Sequence, residues 1–134
     1  MAGETDLSTL LRSMKPVRRP AEYVFCSVAT QNLKIEDLHP ICLFEETEGT
    51  TLVLTREEAD LHALSYTATF CMITLSIHSS LEAVGFLAAV TAKLAERNIS
   101  VNPVSAYYHD HLFVPFKKAD EVMMILKDFS GSLE

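Results

Sequence analysis

Two histidines two residues apart, His109 and His111, flank Asp110 in the run AYYHDHLFVPF (106–116). Residues i and i+2 share a face in an extended segment, so the two imidazoles could grip one transition metal. A catalytic zinc site needs a third protein ligand, and His39, His62 and His78 fall in no ligand pattern such as H-E-x-x-H. No metal and no cofactor are therefore expected. The same triplet also reads as an acid/base apparatus, or as a polar turn between two strands in which Asp110 takes unusual backbone angles.

The remaining chemistry-bearing residues do not assemble a catalyst. Ser79, Ser80 and His78 are neighbours in sequence, but a triad is a matter of geometry, and no G-x-S-x-G occurs. Cys26, Cys42 and Cys71 are odd in number, lack C-x-x-C spacing and sit in apolar runs, the setting of buried free thiols. Four glycines scattered singly cannot build a phosphate loop. The net charge of −7 argues against nucleic acid, and the one basic knot, Lys15 to Arg19, is flanked by prolines like a connector. No run approaches the roughly 20 apolar residues of a membrane span. The first ten residues, MAGETDLSTL, have neither the basic start nor the apolar run of a secretory signal, so a cytoplasmic protein is expected. Binding, not catalysis, is the function class these residues suit.

The elements that must position them follow from periodicity. Leu7, Leu10, Leu11 and Met14 recur at helical spacing and Pro16 stops that helix. Residues 22–29 read as a strand, and 41–45 and 51–54 as a strand pair whose turn is supplied by Gly49. Thr55 to Glu58 has the capping-box pattern that opens a helix to about Leu64. In the strand 70–77, Cys71, Ile73, Leu75 and Ile77 line one face. The longest helix follows, with Leu81, Val84, Leu87, Ala88, Thr91, Leu94, Ala95 and Ile99 as its apolar stripe. Strands near 104–108 and 112–116 and a helix at 119–129 close the chain. Internal repetition then stands out: TLVLTREEADLHAL (51–64) lies on HLFVPFKKADEVMMIL (111–126), with Asp60 on Asp120, and 23–29 lies on 70–77. The first copy lacks the long helix, and the helix 6–14 is expected to fill that place. The chain thus divides into a rearranged unit at 1–66 and a complete one at 67–134, an α+β fold.

The stretches GFLAAVTAKLAERNISV (85–101) and YYHDHLFVPFKKADEVMMIL (107–126) resemble the ACT domain, a small regulatory βαββαβ module. More narrowly, SLEAVGFLAAV (80–90) with YHDHLFVP (108–115) is similar to small standalone bacterial tandem-ACT proteins, and through them to the ACT repeats of aspartate kinases and cytosolic arginine sensors. The resemblance implies two ferredoxin-like units with antiparallel sheets and helices on one face. Asn98 stands where the family commonly ends the helix with Gly, and it tolerates the left-handed conformation. No counterpart of the family's final strand is expected after Phe129, and either Lys15–Arg18 or another chain is a candidate to cover that edge. The implied function is a non-enzymatic regulatory module that senses an amino acid or similar zwitterion where two ACT units meet. Its ligand-binding residues would be Ser79, Ser80, Leu81, Glu82, Val84 and Gly85 in the loop entering the helix, with Asn102 and Asp110. A homodimer and an unidentified protein partner complete the implied picture. Each residue also has a plain structural reading: Glu82 as half of a capping box with Ser79, Gly85 as a packing residue, Asp110 as a turn residue. The alternative reading of the whole chain is a structural or dimerisation module with a degenerate, empty site.

Overall fold

Pro16 acts as its ring dictates: helix α1 (Leu7–Ser13) ends before it, and the thirteen-residue strand β1 (Pro16–Val28) begins there. The structure, a computed structural model, describes residues 6–76 and 85–131. Its remaining elements are β2 (Cys42–Glu46), β3 (Gly49–Thr55), α2 (Arg56–Leu61), β4 (Phe70–Leu75), α3 (Phe86–Ala95), β5 (Asn102–Ser105), β6 (Asp110–Pro115) and α4 (Ala119–Gly131). The fold is α+β, with antiparallel ladders in both of two compact units. The terminal unit contains the chain up to Pro20 and from Cys71 onward; the inserted unit is Ala21–Phe70. β1 gives its first five residues to the former and the rest to the latter.

In the terminal unit the strands run in the order β1–β4–β6–β5. Alternation along β4 sends Cys71, Ile73 and Leu75 to the side where Leu112 and Val114 of β6 also lie, and α1, α3 and α4 cover that side with Leu10, Leu11, Met14, Phe86, Val90, Leu94, Val122 and Leu126. The expected substitute edge is present: β1 lies beside β4, and the Ser76 N–H donates to the Lys15 carbonyl at 2.8 Å. Pro16 and Pro20 lack an N–H, which an edge strand tolerates and a central one does not. Those prolines and the arginines between them are why the strand pattern is legible only from residue 22. Arg18 reaches from this edge to the Asp120 carboxylate on α4 and over the Phe116 ring.

Two expectations are corrected here. α1 packs against α3 and α4 in the terminal unit, and does not fill a place in the other copy. In the inserted unit, ordered β2–β3–β1, two single 3-10 turns at 30–32 and 35–37 replace the long helix, and Leu33 and Leu38 from this segment lean on the core of Val24, Cys26, Leu52, Leu54 and Ala59. The α3 stripe is also shifted: Phe86, Val90 and Leu94 are buried, while Ala88 and Ala95 face out. Almost every residue from 84 to 90 is apolar, so periodicity there selects no face. Leu81 and Val84 lie outside the described residues.

Helix ends follow sequence chemistry closely. Asn98 takes φ 59°, with Ile99 N–H bonded to the Leu94 carbonyl and Asn98 N–H to that of Ala95, a Schellman closure. Ala63 (φ 56°) closes α2 by the same pair of bonds, to Ala59 and Asp60. The capping box at Thr55 is half formed. Its hydroxyl accepts from the Glu58 N–H (3.2 Å), but the Glu58 carboxylate turns to the His39 N–H (2.7 Å). Gly49 opens β3 instead of forming the turn, which is Thr47–Glu48. A Cβ at Gly49 would stand 3.0 Å from the Val28 carbonyl oxygen.

Candidate functional site

The β5–β6 hairpin sets the geometry around Asp110. Its ladder pairs Asn102 with Phe113 and Ser105 with Asp110, and the Ala106 N–H donates to the His109 carbonyl at 3.0 Å. The connection is therefore Ala106-Tyr107-Tyr108-His109, and only the first histidine of the triplet belongs to it. Asp110 is the first residue of β6, with ordinary backbone angles, which corrects the expectation of a strained aspartate turn. The Ser105 hydroxyl donates to the Asp110 carboxylate at 2.6 Å. Tyr107 and Tyr108 stack edge to face at the tip, ring centroids 4.9 Å apart.

One residue further, the hairpin meets β4. His111 Nδ1 lies 3.0 Å from the Thr74 hydroxyl, and burial lowers the His111 pKa, helped by the positive potential of His109 and Arg19 and opposed by Asp110. The Thr74–His111 contact and the Ser76–Lys15 bond bring the start of β1, the end of β4 and the start of β6 to one margin of the sheet. From there the chain runs into residues 77–84. Ser79, Ser80, Leu81, Glu82 and Val84 lie outside the described residues. Gly85, where description resumes, takes φ 88° at the start of α3 and has no side chain to cap it, and Ala89 N–H is the first to reach a helical carbonyl, that of Gly85. Among the described residues, the amides of 86–88 have no acceptor within the helix. Asn102 sits at the far end of the hairpin, three residues and roughly 10 Å along the strand from Ser105, and is not gathered with Asp110.

The other candidates resolve simply. Among the described residues no three His, Cys, Asp or Glu side chains converge as a metal site would require. Burial raises the Cys26 and Cys71 thiols, at Cys71 against the pull of Arg18, so neither is an activated nucleophile. No described helix is long and apolar enough to cross a membrane.

Sequence reasoning missed two arrangements. Ser105 as the partner of Asp110 becomes readable once the turn is placed at 106–109. In the inserted unit an open cleft of about 540 Å³ is lined by Ala21, Glu22, Thr55, Arg56, Glu57 and Asp60. Arg56 is engaged there by Tyr66 (3.2 Å), Glu22 (3.3 Å) and Asp60 (3.8 Å), and only the i, i+4 pair with Asp60 is visible in the sequence.

Two ACT-domain family models match the chain in tandem, over residues 2–71 and 62–128. No curated protein matches it. Among solved structures, a Vibrio cholerae protein of unknown function, described as a possible transport protein, is 45% identical, with a TM-score of 0.84 over 92% of this chain and 95% of that one. An Agrobacterium tumefaciens protein is 12% identical, with a TM-score of 0.73 over 87% of this chain and 89% of the other. The aspartokinase alpha and beta subunits give 10% identity and a TM-score of 0.62, over 87% of this chain and 97% of that chain. At such identities the last two likenesses concern the fold alone.

Proposed function

This chain belongs to the ACT-domain family, and from that premise we propose that it is a non-enzymatic regulatory module that senses an amino acid or a similar zwitterion. ACT domains are regulatory small-molecule-binding modules, and the finer assignment rests on the sheet margin of the terminal unit. The observation that carries it is the position of Asp110, at the start of β6 beside the end of β4, where the chain leaves for the start of α3. An ammonium or guanidinium group suits the carboxylate, and a ligand carboxylate suits amides at a helix start entered through a left-handed glycine. Ser79, Ser80, Leu81, Glu82, Val84 and Gly85 would form the anionic end's cradle, and Asn102 would contribute from a second copy in a homodimer. In a module of this kind the signal would pass through assembly state or a protein partner in the cytoplasm. Ligand shifts such an equilibrium only by its difference in affinity between the two states.

A thermal-shift panel of amino acids tests this directly. A ligand at a hundredfold excess over its dissociation constant stabilises the native chain by about 2.7 kcal/mol. No shift anywhere in the panel would favour the second reading, a dimerisation module with an empty site. That reading is supported by the inserted unit, where short turns stand in place of the long helix.

A further inference from the structure

We infer that the outer edge of β2 is a docking edge for a basic, extended segment of another protein. Charge is the first ground. The inserted unit holds nine acidic and two basic residues, while the rest of the chain holds nine of each, so these fifty residues carry the whole net charge of −7. One of the two cations, Arg56, is engaged by Glu22 and Asp60. Three of the acids, Glu45, Glu46 and Glu48, lie in or beside β2.

The strand itself is the second ground. β2 ends the sheet order, and among the described residues only β3 pairs with it. An unpaired edge offers a row of backbone donors and acceptors. Exposed apolar side chains stand on both faces of this edge. Leu43 (40% exposed) is paired with Leu52 and shares its face; Phe44 (64%) is paired with Thr51 on the opposite one, and Ile41 (49%) precedes them. A ligand or helix resting on one face would leave the other side wet. A strand laid alongside β2 covers both, because its own side chains alternate.

The charge then selects the occupant. A second copy of this edge would bring three more glutamates, Glu45, Glu46 and Glu48, to the seam and no cation with them, so the local negative charge would double. A segment alternating Lys or Arg with apolar residues would instead neutralise Glu45 and Glu46 while covering Leu43 and Phe44.

The test uses the full-length chain and a fluorescein-labelled peptide of alternating Lys and Val. Fluorescence anisotropy should show binding that weakens by about tenfold as salt rises from roughly 50 to 300 mM, with an alternating Ser and Val peptide at least about tenfold weaker. Phe44→Ala and the double variant Glu45→Lys/Glu46→Lys should each lose about tenfold in affinity. Both alter exposed positions, and circular dichroism verifies their folding. Hydrogen exchange, which needs no variant, should slow at residues 42–46 when peptide is bound. Undiminished binding by the Lys double variant, or protection confined to other segments, overturns the inference. So does a wild-type dimer that Phe44→Ala dissociates, since a second copy would then occupy the edge.

Discussion

Ser105 and Asp110 close the β5–β6 hairpin with a hydroxyl-to-carboxylate bond of 2.6 Å. The acid proposed to meet a ligand is thereby held at the strand start by a neighbour that itself carries no charge. A carboxylate has two oxygens and several lone pairs, so accepting one hydrogen bond from serine leaves it able to receive a cation. Asp110→Asn should change the stability of the free protein by no more than about 1 kcal/mol while abolishing the amino-acid-induced melting shift. Ser105→Ala should preserve the shift. A shift that survives Asp110→Asn removes Asp110 from the site.

Histidine 111 makes the terminal unit acid-sensitive. Its pKa is lowered in the fold, first by burial, from the ordinary value of 6.5. Between the unfolded and folded values the unfolded chain binds more protons, so stability increases with pH across that window. The contribution is complete above about pH 6.5 and declines as pH falls toward the lower folded value. Urea midpoints at pH 5 and 7.5 should therefore differ, and His111→Gln should narrow the difference. An unchanged difference in the variant would assign the acid sensitivity elsewhere.

Two left-handed residues should respond to substitution in opposite directions. Gly85 has room for a methyl group, since the nearest atom to an added Cβ is Leu7 Cδ2 at 3.8 Å, but its φ of 88° penalises any side chain. Gly85→Ala should cost about 1–2 kcal/mol for conformational reasons alone. Ala63 already bears that strain at φ 56°, so Ala63→Gly should stabilise by about 0.5–1 kcal/mol, the gain being trimmed by glycine's extra unfolded-state freedom. Chemical denaturation of the two variants checks both signs.

Removing the Thr55 hydroxyl should cost about 1 kcal/mol, because the Glu58 N–H loses its acceptor at the start of α2. Glu58→Gln should leave α2 in place and loosen the segment around His39, whose N–H it binds. Hydrogen exchange at His39 against the α2 amides distinguishes the two effects.

The strands and caps were legible because each depends on local rules. The alternation of Cys71, Ile73 and Leu75 names the buried face of β4, and the substitution of Asn98 for glycine still predicts the turn that it makes. What stayed hidden depends on distant partners. Nothing near Leu10 says that its helix packs on α3 and α4, and the proline-rich start of β1 looks like a connector until β4 is laid beside it. Around the candidate site, Asp110 was readable as a residue to watch, but Thr74 as the companion of His111 required a pairing across 37 positions.

β1 has a consequence for anyone who would divide this protein. Expressing it as halves split near residue 66 would strand a helix and a border strand of the later half on the earlier fragment, exposing a raw sheet margin on what remains. Each piece alone should precipitate, whereas co-expressed pieces should find one another and recover a soluble particle. The strand that begins at Pro16 serves first one compact unit and then the other.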